Sequence, residues 1–94
     1  MKVLVTGAAG FIGGQLWHTL WQRGDEVVGI DNFSYGNLDN LKFDDHDFGP
    51  EVRRMDIRDR EALPKLFEEE KFDVVYNIAG IAPLPDCQSD PVQA

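Results

Sequence analysis

Cysteine, positive charge and long apolar runs are all scarce in this chain, and each scarcity removes a class of protein. Cys87 is the only cysteine, so no disulfide can form within the chain, and a reducing compartment is expected. Nine basic residues stand against 17 acidic ones, for a net charge of -8, and no local basic patch offsets it. Such a surface repels phosphate backbones and anionic lipid, so neither nucleic acid nor a membrane is an expected partner. No apolar run approaches the roughly 18 residues of a membrane span. Met1-Lys2-Val3 leads into a strand pattern and not into a signal peptide, so a cytoplasmic location is expected. There is no internal repeat and no low-complexity segment. At 94 residues the chain holds one domain at most, and its 43% hydrophobic content is that of a chain that folds.

Strand and helix patterns alternate along the chain. The β-branched run Val3-Leu4-Val5 predicts a first strand over residues 2–6, stopped by Gly7 and covered on both faces. Ile12, Leu16, Leu20, Trp17 and Trp21 then recur at helical spacing, and Gly24 is placed to end that helix. A second strand over residues 26–30 ends at Asp31. Residues 32–50 carry turn formers without periodicity and predict a long loop. Residues 52–55 predict a third strand. Asp59 is placed to cap a helix with the stripe Ala62, Leu63, Leu66 and Phe67, and Pro64 predicts a broken first turn there. Residues 73–78 predict a fourth strand, and residues 79–94, with Pro83, Pro85 and Pro91, a loop. Alternation of this kind implies right-handed crossovers in an α/β, Rossmann-type doubly wound parallel sheet with strand order 3-2-1-4. It is half of such a sheet, and its bare fourth strand predicts self-association into a homo-oligomer.

The chemistry is concentrated at Gly7-Ala8-Ala9-Gly10-Phe11-Ile12-Gly13, between the first strand and the first helix. Gly7 permits a tight turn, Gly10 lets the backbone approach a diphosphate, and Gly13 lets helix and strand pack closely. The opening amides of the helix, those of Phe11 and Ile12 among them, face the anion with the helix dipole behind them. A dinucleotide site also needs an acidic residue about 20 positions on, at the end of the second strand, for the ribose hydroxyls. Asp31 occupies that place. A carboxylate there favours NAD over NADP, because a 2′-phosphate would meet a like charge costing about 1–4 kcal/mol.

Thr6-Gly7-Ala8-Ala9-Gly10-Phe11-Ile12-Gly13 resembles the signature of the extended short-chain dehydrogenase/reductases, which include NAD-dependent nucleotide-sugar epimerases and dehydratases. Asp31-Asn32-Phe33-Ser34-Tyr35-Gly36 is similar to the family's adenosine-binding segment, which implies cofactor contacts from Asp31, Asn32, Ser34 and Gly36. Asp56-Ile57-Arg58-Asp59 is similar to a pair in which the aspartate receives the adenine amino group and the next residue, here Ile57, packs on the ring. Asn77-Ile78-Ala79-Gly80 matches a segment lying along the cofactor, implying contacts from Ile78, Ala79 and Gly80. The resemblance covers the whole chain and implies an NAD-binding part of an epimerase or dehydratase acting on a nucleotide-linked sugar. Asn77 stands where the family often has His, and Ala82 where some sugar epimerases have Lys. The family's Tyr-x-x-x-Lys pair is missing, since Tyr35 is followed four residues on by Asp39 and Tyr76 by Gly80. Residues 1–94 thus resemble the N-terminal part of a longer enzyme without its catalytic and substrate-binding parts, inactive alone. A non-catalytic NAD-binding or redox-sensing module of the same fold is the alternative.

Other polar clusters suggest less. Asp44-Asp45-His46-Asp47 lacks calcium-loop spacing and reads as a solvated loop, so no metal is expected. Glu68-Glu69-Glu70 reads as a solvent face, Trp17 and Trp21 as core, and His18 and Cys87 as residues without catalytic partners.

Overall fold

Val3, Leu4 and Val5 are completely buried because their strand lies inside the sheet with side chains packed on both of its faces. The structure is a computed structural model and describes residues 1–78. It contains β1 (Lys2–Thr6), α1 (Phe11–Gln22), β2 (Glu26–Asp31), β3 (Arg53–Arg54), α2 (Ala62–Glu70) and β4 (Val74–Asn77). The sheet order is β3-β2-β1-β4, and every pairing is parallel. This is the expected 3-2-1-4 order. The expected loop over residues 79–94 lies outside the described residues.

Alternation along β1 sorts the core into two layers. Val3 and Val5 face Trp17 and Leu20 of α1 together with Leu41 and Phe48. Leu4, on the opposite face, packs with Ile30 and Leu66. A glycine is required where Trp17 crosses β2: a Cβ on Gly29 would lie 2.1 Å from the indole ring.

Residues 32–50 are more ordered than their composition suggests. They hold a 3-10 helix, Leu38–Leu41, whose Asn37 side chain caps Asp39 N at 2.9 Å. An antiparallel bridge joins Lys42 to Asp47. Aromatic rings anchor this segment to α1. His18 stacks on Phe43 at 4.0 Å, Trp21 stacks on His46 at 4.8 Å, and Trp17 meets the buried Phe48 at 4.9 Å. His18 Nε2 lies 2.8 Å from Asp45 Oδ1, and His46 pairs with Glu51. The acidic run therefore belongs partly to this clamp, and Trp21 remains 37% exposed.

Pro64 does not break its helix. α2 opens at Ala62, so Pro64 is its third residue, inside the first turn where helical N–H groups have no partner within the helix. Asp59 Oδ1 accepts from Glu61 N at 3.0 Å and Ala62 N at 2.9 Å, so it ties down the turn leading into α2, but the capping position expected of it belongs to Glu61, whose side chain makes no capping bond. Glu70 departs from the expected solvent face, because it pairs with Lys2 at 3.0 Å and Arg53 at 3.7 Å.

Candidate functional site

The carboxyl ends of β1 and β2 lie side by side because the register pairs Thr6 with Ile30. The next residues, Gly7 and Asp31, begin the site, where a doubly wound sheet places its ligands. Gly7 has φ 66°, a left-handed conformation that a side chain would strain. The turn it makes is closed by Gly10 N donating to Gly7 O at 3.1 Å and Ala8 N donating to Ile30 O at 3.0 Å.

Gly10 and Gly13 do separate jobs. A Cβ on Gly13 would be 2.1 Å from Gly7 O and 2.8 Å from Gly7 C, so only glycine lets α1 approach the turn. A Cβ on Gly10 would meet nothing closer than Gly7 O at 3.3 Å, so packing alone does not demand glycine there. Gly10 is the N-cap of α1, and it supplies no side-chain cap. There is no acidic residue in the first turn either, and Phe11 and Ile12 are 73% and 54% exposed. The opening amides of α1 therefore have no side-chain cap of their own, which is the arrangement that can receive an anion.

Asp31 points at this turn. The residue is only 7% exposed; Oδ2 accepts from Ala9 N at 2.8 Å and Oδ1 from Phe33 N at 2.6 Å. An ionised carboxylate offers about four acceptor positions, so these bonds orient the group and leave capacity for ribose hydroxyls. Gly36 packs against it, since a Cβ there would be 2.8 Å from Asp31 Oδ2 and 2.9 Å from Ala9 Cβ. Asn32 makes the turn beside it, its Oδ1 accepting from Ser34 N at 3.0 Å, with Asn32 and Ser34 both exposed.

Several contributors carried no signal in the pattern. Ala9 joins three segments through its backbone: its N–H binds Asp31, and its carbonyl accepts from Asn37 N and Asn40 Nδ2, each at 2.9 Å. Gly14 makes room for that loop, because a Cβ would lie 2.5 Å from Asn40 O. Phe33 adopts φ 63°, and the Arg54 guanidinium lies 4.8 Å over its ring.

The next carboxylate is on β3's carboxyl side. Asp56 follows Met55, whose N–H donates to Asp31 O at 3.0 Å. Arg58 holds both oxygens of Asp56, its backbone N and Nε reaching Oδ1 at 2.8 and 3.2 Å and its Nη2 reaching Oδ2 at 3.0 Å. These bonds, with Asn32 contributing, lower the Asp56 pKa to about 2. Ile57 lines a largely apolar cleft of about 220 Å³ with Leu4, Leu63, Phe67 and Val75, on the α2 face of the sheet. At the end of β4, Asn77 Oδ1 accepts from Thr6 Oγ1 at 2.7 Å, and Ile78 is half-buried against the α1 layer. Ala79 and Gly80 lie outside the described residues. Among the described residues no group of acidic, histidine or cysteine side chains is arranged to hold a metal ion.

The site's residues fit a dinucleotide: glycine turn, open amides, seated carboxylate. If NAD is bound, it supplies the hydride acceptor that the chain itself lacks. Residues 3–94 match the model of the NAD dependent epimerase/dehydratase family. The UDP-glucose 4-epimerase of Caenorhabditis elegans is 36% identical over 103 aligned residues, covering 99% of this chain and 30% of that protein. The UDP-glucose 4-epimerase of Thermus thermophilus, solved as a complex with NAD, superposes with a TM-score of 0.78 at 36% identity, covering 99% of this chain and 28% of that one. The enzyme WbmH of Bordetella bronchiseptica, solved in complex with NAD+, gives 0.75 at 33% identity over 98% of this chain and 30% of its own. The chain thus spans under a third of the length of these relatives. With a family match running nearly from end to end, this chain belongs to the NAD dependent epimerase/dehydratase family.

Proposed function

We propose that this chain binds NAD as the cofactor-binding part of an enzyme that moves a hydride at a carbon of a nucleotide-linked sugar, epimerising or dehydrating it. The observation that carries the reading is the Asp31 carboxylate, buried and seated on Ala9 N inside the glycine turn. Diphosphate binds the opening amides of α1 through Gly10, Phe11, Ile12 and Gly13. Asp31 takes the adenosine ribose, and the Asn32, Ser34 and Gly36 corner flanks it. Asp56 and Ile57 receive the base, and residues 78–80 run along the rest of the cofactor. The protein works in the cytoplasm, assembles with copies of itself, and uses a nucleotide-linked sugar as substrate.

Turnover by the 94 residues alone is not expected, because neither tyrosine has the Tyr-x-x-x-Lys spacing that would exchange a proton with a sugar hydroxyl. The second reading is a non-catalytic NAD-binding or redox-sensing module of the same fold. Calorimetric titration with NAD and NADP, run beside an epimerase assay, tests the first reading. NAD should bind, weakly, and in preference to NADP, with no turnover. A preference for NADP, or catalysis by this chain alone, would overturn it. A reading frame continuing into Tyr-x-x-x-Lys supports the enzyme, and a stop codon after Ala94 the module.

A further inference from the structure

Three successive peptide groups lead the chain from the Gly7 turn into α1, and each is held by a different part of the fold. The one ending in Ala9 N is held by Asp31, whose Oδ2 accepts that N–H at 2.8 Å. The one carrying Gly10 O is held by the helix, since Gly14 N donates to that oxygen at 2.9 Å. The Ala9–Gly10 peptide between them has neither support. Its N–H turns back to Gly7 O at 3.1 Å, and its carbonyl is taken by the loop after β2, where Asn37 N and Asn40 Nδ2 both donate to Ala9 O at 2.9 Å.

Glycine at position 10 makes this middle peptide the weak point. Turning a peptide over needs a free φ on the residue that follows, and glycine takes positive φ at little cost. Gly10 sits at φ −76°, so the bonds around the peptide, and not a side chain, are what keep it there. Turned over, the peptide would lose its bond to Gly7 O and bring the negative end of its dipole beside the opening amides of α1, against an anion. Asn40 is placed to prevent this. Its backbone is fixed from two sides: Asn40 N donates to Asn37 O at 3.0 Å, and its carbonyl lies where a Cβ on Gly14 would be only 2.5 Å away. The next residue, Leu41, is completely buried. The side chain thus extends from a rigid base, and because its partner is a carbonyl, the amide must present its Nδ2 donors there.

We propose that Asn40 is a positioning residue for the nucleotide site: its side-chain amide locks the Ala9–Gly10 peptide with the carbonyl turned into the loop, so that the entrance to α1 is preset for an anion. Asn37 supplies the companion bond from its backbone N–H, which any residue but proline can make, whereas the Asn40 bond depends on the side chain. Asn40 acts through the peptide and needs no contact with the ligand. Its contribution is preorganisation, because a turn already in its binding conformation loses no affinity in reaching it. The proposal rests on the NAD reading above and adds to it a residue that reading does not use.

The test follows amide hydrogen exchange and NAD titration by NMR on the 94-residue chain. In the wild type the Gly10 amide should be protected about tenfold or more over an unstructured amide, as should that of Ala8, which is bonded to Ile30 O. Asn40→Ala should speed Gly10 exchange about threefold to tenfold, the value of one hydrogen bond, leave Ala8 unchanged, and weaken NAD by a similar factor. Asn40→Asp, equal in size but unable to donate, should do at least as much at Gly10, and it leaves no cavity that could unfold the chain. A merely structural role would speed Ala8, Ala9 and Gly10 together and leave the NAD affinity of the folded chain unchanged. Variants that keep the wild-type Gly10 rate, or that bind NAD at full strength, overturn this proposal and leave the NAD reading standing. Should neither variant fold, the wild type decides: a Gly10 amide exchanging like an unstructured one overturns the lock, and a protected one sustains it. A wild type that does not bind NAD overturns both readings.

Discussion

Replacing Gly13 and Gly10 separately by alanine should divide stability from binding at a turn where both residues are glycine. The Cβ of Gly13→Ala would enter to 2.1 Å from Gly7 O, 2.8 Å from Gly7 C and 3.0 Å from Ala8 Cα. All of these are backbone atoms, and the turn that carries them is held by Ala8 N on Ile30 O and Gly10 N on Gly7 O. No side chain can swing aside, so α1 must move away from β1 to relieve the clash. That shift opens the layer holding Val5, Trp17 and Leu20. Overpacking costs about 1–3 kcal/mol, and the upper end applies where backbone meets backbone. In a domain of this size that corresponds to a melting temperature lower by about 5–20 °C. Gly10→Ala differs. Gly10 has φ −76°, which alanine adopts freely, and its Cβ would meet only Gly7 O at 3.3 Å. The Gly7 carbonyl need yield by only a few tenths of an ångström, so stability should change by less than about 1 kcal/mol. On the proposed function the new methyl stands in the path of the diphosphate, and NAD affinity should fall about tenfold or more. Thermal melts followed by circular dichroism, with calorimetric titration of the same samples, give both numbers. A Gly13→Ala chain as stable as the wild type, or a Gly10→Ala chain with full NAD affinity, would refute the division of labour.

Gly29→Ala should also destabilise by about 1–3 kcal/mol, because its Cβ would strike the Trp17 ring; placed on a Trp17→Leu background the same change should cost much less, and equal costs in both backgrounds would refute the contact. Acid should unfold the chain through identifiable carboxylates. Asp45 is held below the usual range by His18, Asp56 at about 2 by Arg58, Asp59 by the amides of Ala62 and Glu61, and Glu70 by Lys2. The unfolded chain binds protons more readily at these groups, so their stabilisation is complete above about pH 5 and disappears as pH falls through the lowered values. Denaturant melts from about pH 7 to about pH 2 should show this loss, and Arg58→Ala should shift part of it to higher pH; an acid limb that ignores Arg58 would contradict the assignment.

Elements that depend on local chemistry were legible in the sequence, and those that depend on distant partners were not. β1, α1 and β2 follow from a β-branched run, a helical stripe and the glycines at 7 and 24, each of which constrains its own backbone. The link from Gly7 to Asp31 was readable for the same reason, since the turn places Ala9 N where Asp31 Oδ2 accepts from it. The 3-10 helix at Leu38–Leu41 was not, because what orders it lies elsewhere: Asn37 and Asn40 bond the Ala9 carbonyl, and Phe43 and Phe48 meet rings from α1. Ala9 itself acts only through its peptide groups, which no side-chain pattern reports. Pro64 misled because a shift of two residues in a helix start decides whether a missing N–H matters. Arg58 was hidden by its exposure, for a surface arginine two residues from an aspartate is ordinary until both oxygens are seen to be held.

The most direct measurement is an amide-resolved NMR titration of the 15N-labelled chain with NAD. Saturable shifts are expected at Ala9, Gly10, Phe11 and Ile12 and at residues 31–36, with NADP producing the same pattern at higher concentration. Shifts that ignore the glycine turn, collect instead at Leu63 and Phe67, or appear equally with NADP would contradict a diphosphate held at the start of α1 and a ribose held by Asp31.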